Sequence, residues 1–157
     1  MAREKALAAA EEASELLTLL LLSAYTDGVD EAGARFSSWA MSAASDAPER
    51  RWGALQACTT FARGILIDAG EIPEEVVAEI ARDKNVADAI EDPMEEAGVH
   101  DALEMLGAPG KAEADLDERW WSYASDDCPP GQYVAALIFM FFLAVAAAPA
   151  AAARLSQ

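Results

Sequence analysis

Residues 133–153 read YVAALIFMFFLAVAAAPAAAA, a run without a single charge. It is long enough to cross the hydrocarbon core of a bilayer. The same composition suits a helix buried on all sides in a bundle. Its strongly apolar part is short, LIFMFFLAV at 137–145, and the rest is mainly alanine. Leu, Ile, Phe and Val favour insertion by roughly 0.3–0.6 kcal/mol each, so the stretch sums to on the order of −2 to −4 kcal/mol, a marginal anchor. Pro149 is expected to break the last turns, because proline lacks the N–H a helix needs. Asp126 and Asp127 precede the stretch and Arg154 follows it. The positive-inside rule then puts the short tail in the cytoplasm and the acidic body outside, the reverse of a tail-anchored cytoplasmic protein. The stretch is therefore read as a central core helix, with Phe139, Met140, Phe141, Phe142 and Leu143 facing every direction around it. A C-terminal membrane anchor and an apolar dimer interface are the alternatives.

A core helix needs partners, and the remaining sequence supplies amphipathic ones. The chain has 157 residues, 54% hydrophobic and 25% charged, the composition and length of one globular domain. Good helix formers dominate, and no segment alternates with the period of a strand. Residues 2–25 are read as a first helix with Leu7, Ala10, Leu17, Leu21 and Ala24 at helical spacing. Its second half, LLTLLLLSA, is expected to be buried on several sides. TDGVD ends it, with Gly28 as the break. A helix over about 30–45 carries Phe36, Trp39, Ala40 and Ala43 on one face. The next, over about 48–69, carries Trp52, Leu55, Ala62, Ile65 and Leu66, and ends at Gly70. Its small residues Ala54, Cys58 and Ala62, four apart, permit a close helix–helix approach. Pro73 opens a fourth helix. A fifth runs over about 93–106 with Met94, Val99, Leu103 and Leu106 inward, and a sixth over about 116–125. The expected fold is all-α: one domain, 1–157, of about seven helices packed around the C-terminal one. Residues 107–114 are a candidate internal linker.

Three of the expected helices start with an aspartate three residues before a glutamate, the spacing of a capping box: Asp46 with Glu49, Asp92 with Glu95, and Asp115 with Glu118. Their expected role is structural.

The net charge is −17 and unevenly spread. Residues 1–67 carry −3, residues 68–127 carry −15, and residues 128–157 carry +1. Such a surface repels phosphate backbones, which argues against direct nucleic-acid binding. The densest block, 68–104, holds thirteen acids against Arg82 and Lys84. It reads either as a solvated face, of the kind a salt-rich cell favours, or as a docking surface for a basic partner protein. Carboxylate mimicry of nucleic acid is a special case of the latter. The partner-binding candidates are Glu74, Glu75, Glu79, Glu91, Glu95 and Glu96, followed by Trp120 and Trp121 in RWWSY, where Trp, Tyr and Arg concentrate binding energy. A homo-oligomer is a further option.

Catalytic signals are sparse. Cys58 and Cys128 lie far apart and make neither a disulfide framework nor a zinc site, and Cys58 is expected to be buried and inert. The lone histidine, His100, lies four residues after Glu96, half of a metal site with no second half, and is read as a surface group. There is no phosphate-binding glycine loop, Gly-x-Ser-x-Gly or Cys-x-x-Cys. The stretch EEASEL at 11–16 resembles the first acidic motif of the all-α nucleotide pyrophosphohydrolases related to MazG. The resemblance implies Mg²⁺ binding by Glu12 and Glu15. That family's second motif, Glu-x-x-Asp, occurs nowhere in the chain, and Asp27 with Asp30 is the nearest substitute. Neither metal nor cofactor is expected. The amino terminus does not read as a secretory signal, because Glu11, Glu12 and Glu15 interrupt the approach to its apolar run. The expectation is a non-enzymatic, cytoplasmic, acidic binding or regulatory protein.

Overall fold

The computed structural model describes residues 2–70, 98–102, 106 and 121–156. Four long helices lie within them: α1 (Ala2–Thr26), α2 (Val29–Ala43), α3 (Pro48–Ala69) and α4 (Pro130–Leu155). Shorter helical stretches cover 98–102 and 121–124. The domain is all-α, and among the described residues the helices number six where the sequence predicts about seven. The one opened by Pro73 lies outside the described residues, as do residues 107–114.

α4 is the centre. Its best window has a mean hydropathy of 2.4, apolar enough for a membrane span, and 78% of that window is buried inside the bundle. Tyr133 and every residue from Ala135 to Val145 are buried. Phe139, Met140, Phe141, Phe142 and Leu143 are all sealed, as their all-round distribution predicts. Phe141 stacks on Phe36 of α2 with ring centroids 4.5 Å apart. It meets Phe142 edge-on at 5.5 Å. α2 presents Phe36, Ala40 and Ala43 inward, with Trp39 half-buried beside Phe36. On α3, Thr59 Oγ1 lies 3.4 Å from Met140 Sδ and donates to Leu55 O at 2.7 Å. The buried Ala54, Cys58 and Ala62 lie among this packing.

Small residues bring α1 close to α3. A Cβ built on Gly53 would fall 2.1 Å from the carbonyl oxygen of Ala6, so only glycine lets the two backbones meet there. This approach sets which face of α1 turns inward. The buried stripe is Ala6, Ala9, Ala13, Leu17, Leu20 and Ala24, a regular three–four spacing. The sequence expectation is corrected here. Leu17 and Ala24 are buried, but Leu7 is exposed and Ala10 and Leu21 are half-buried. Nor is LLTLLLL buried on several sides, since Leu19 and Leu22 are exposed.

Helix ends bring two further corrections. Asp46 does not cap α3: the N-cap is Ala47, with no side-chain hydrogen bond to it. Pro48 at the first helical position holds Ala47 extended and fixes the start there. Asp46 instead pairs with Arg50 at 3.5 Å. The other two candidate boxes fall outside the described residues. Pro149 does not break α4, which continues to Leu155. Removal of its N–H frees the carbonyl of Val145, and the hydroxyl of Tyr25 donates to that oxygen. Gly28 and Gly70 do mark helix ends, both with positive φ. Arg154 NH1 would stand 2.7 Å from a Cβ on Gly70, placing its guanidinium at the negative carbonyl end of α3.

The lower end of the bundle is tied by polar contacts. Tyr133 donates to Arg51 O at 3.0 Å. Arg51, nine-tenths buried, donates to Asp126 at 2.8 Å and to Ala44 O at 3.4 Å. Tyr123 donates to Asp101 at 2.5 Å and accepts from Gln132 at 3.0 Å. Gly98 passes so near Gln132 that a Cβ there would lie 2.3 Å from its carbonyl oxygen. Val99 is half-buried against the core and Leu106 is buried, as expected, whereas the side chains of Met94 and Leu103 lie outside the described residues.

Candidate functional site

Glu74, Glu75, Glu79, Glu91, Glu95, Glu96 and Trp120 all lie outside the described residues. Trp121 is half exposed, and its ring meets Trp52 edge-on with centroids 6.3 Å apart. It therefore packs on the bundle with about half of its surface left exposed.

The surface that the sequence did not single out is the outward face of α1. It follows from the rotation described above. With one apolar stripe turned inward, the other large apolar side chains of α1 are left partly or largely outside. Leu7, Leu19, Leu22 and Tyr25 are each more than half exposed. Two grooves run along this face. The first, about 650 Å³, lies between α1 and α3, with Leu7, Ala10 and Ala57 as apolar lining and Glu11 and Glu15 as the charged groups. The second, about 460 Å³, lies between α1 and α4, lined by Leu21, Leu22, Tyr25, Ala148, Pro149 and Ala152. Ser14 belongs to the first groove and Thr18 to the second. The Thr18 hydroxyl is turned back onto Ser14 O at 3.0 Å, so it offers no unsatisfied donor where the grooves meet. Among the described residues, no lysine or arginine lines either groove. Residues 16–26 carry no charge at all.

The motif at 11–16 is divided by the fold. Glu12 pairs with Arg50 of α3, while Glu11 and Glu15 face the first groove. Hydrogen bonding to Glu12 is the main cause that raises the Arg50 pKa. Asp27 accepts from Ser23 at 3.1 Å. Among the described residues, no three or more His, Cys, Asp or Glu side chains gather in a way that could hold a metal ion. His100 is exposed, with Nδ1 3.9 Å from Asp101. Both cysteines are free thiols. Burial raises the pKa of Cys58 far above its ordinary value, and that of the half-buried Cys128 upward as well.

No protein-family model, curated protein or solved structure matches the chain.

Proposed function

We propose that this chain is a non-enzymatic, cytoplasmic, acidic binding or regulatory protein, an inhibitor, immunity factor or adaptor that docks to a basic partner protein. The observation that carries the reading is the segregation of charge, −15 over residues 68–127 against −3 over residues 1–67. A one-signed field of this kind accelerates encounter with a basic surface and repels nucleic acid. The burial of α4 supports a water-soluble bundle, because it gives the most apolar segment a protein environment in place of lipid. The half-exposed Trp121 suits a contact surface. The test is capture from the native host at low salt. Partners released steeply between low and moderate salt support the reading, and salt-indifferent capture contradicts it. A second reading, a membrane-anchored helical protein, is favoured by the length and hydropathy of α4 alone.

A further inference from the structure

We propose that the outward face of α1, from Leu7 to Tyr25, docks one amphipathic helix of a partner protein, basic where it meets Glu11 and Glu15 and apolar where it meets Leu22 and Pro149. The inference rests on the proposed role as an acidic binding protein and assigns that role a specific surface.

Three observations carry it. The face is continuous. From Leu7 to Tyr25 α1 rises about 27 Å, enough to seat some five turns of a partner helix. The two grooves follow one another along that length, with α3 as the wall of one and α4 as the wall of the other. Secondly, the fold leaves large apolar side chains in water. Leu19 and Leu22 are 65% and 63% exposed and only three residues apart, a patch of the kind that marks interaction sites. It adjoins the alanines and proline of the last turns of α4. Thirdly, the charge is polar along the axis. Glu11 and Glu15 stand four apart with no ion-pair partner among the described residues, while residues 16–26 carry no charge. A ligand helix therefore gains most with lysines or arginines four apart at one end and leucine-like side chains at the other.

The same polarity decides against other occupants. The Leu7–Tyr25 face of a second copy holds no cation for Glu11 and Glu15, and laid antiparallel it sets those carboxylates against Leu22 and Tyr25. An anionic lipid surface repels the acidic half.

The test uses the full ¹⁵N-labelled chain and a synthetic helical peptide of about 18 residues. One end carries two lysines four apart, and the other carries leucines at helical spacing. Amide shifts along Leu7–Tyr25 and Ala148–Ala152 are expected on titration. Glu11→Lys with Glu15→Lys should weaken binding by at least about tenfold and flatten its salt dependence. Leu22→Asp, at an exposed site and with circular dichroism to check that the fold is intact, should weaken binding similarly without changing the salt slope. Shifts confined to 71–96 overturn this surface while leaving the acidic-binder reading standing. Self-association through the same face, Leu22-dependent sedimentation with phosphatidylcholine vesicles, or equal binding of a peptide with glutamates in place of the lysines also overturns it. Absence of any peptide binding overturns it too. If host capture at low salt fails as well, the broader reading falls with it.

Discussion

Tyr25 donates its hydroxyl to the carbonyl oxygen of Val145, 120 residues away and one helical turn before Pro149. That carbonyl would ordinarily accept from the N–H of residue 149, which proline lacks. A side chain from α1 thus restores the bond that the sequence of α4 removes, and the core helix runs on unbroken.

Tyr25→Phe is expected to lower unfolding free energy by about 0.5–1.5 kcal/mol, the net worth of a hydrogen bond, near the low end because Tyr25 is half exposed. Pro149→Ala returns the missing N–H. In that background the Tyr25 substitution should cost distinctly less. A urea double-mutant cycle measures the coupling, and additive effects would contradict the compensation.

Two glycines of α3 should respond in opposite directions. Gly53→Ala drives a methyl group against Ala6 O, backbone that cannot step aside. Overpacking of this kind costs about 1–3 kcal/mol, which outweighs the roughly 1 kcal/mol helix-propensity gain. Gly64 has nothing within 4 Å of an added Cβ. Gly64→Ala should therefore stabilise the protein by about 0.5–1 kcal/mol. Thermal melts of the two variants distinguish the signs.

Alkaline pH should weaken the fold through Tyr133. Burial holds its phenol neutral, raising its pKa well above the ordinary value. In the unfolded chain the group ionises near pH 10, so the contribution is fully present below about pH 10 and is lost as pH rises beyond it. Each pH unit above that point costs up to about 1.4 kcal/mol. Tyr133→Phe should be less stable at neutral pH, lacking the bond to Arg51 O. The gap should narrow as pH rises from about 10. A constant gap would contradict this.

Cys58 is fully buried, and its thiol is held protonated. Since the thiolate is the reactive species, modification of Cys58 should proceed only at the rate at which the fold opens. The half-buried Cys128 should react first, more slowly than a free thiol. Rapid labelling of Cys58 in native conditions would contradict the packing of α3 on α4.

The inward course of α4 was legible because LIFMFFLAV covers every direction around a helix, leaving no face to give to water. The phase of α1 was less so. With alanines at 6 and 8–10 and leucines at 7, 16, 17 and 19–22, hydrophobicity barely varies around its axis. What sets its rotation is the close approach of Gly53, on another helix, and the α1 pattern holds no trace of that contact. The outward face of α1 escaped notice for the same reason. The capping role of Asp46 was a local inference defeated by a nearer constraint, Pro48. The tolerance of Pro149 depends on Tyr25, a non-local partner that no window of sequence reveals. Apart from Asp68 and Asp101, the acids of the 68–104 block lie outside the described residues, as does Trp120.

The most direct test of a water-soluble bundle closed over α4 is fractionation of the native-length chain without detergent. Ultracentrifugation should leave the protein in the supernatant, with its phenylalanines sealed beneath α2 and α3. Recovery only from the membrane pellet, released by detergent alone, would contradict it.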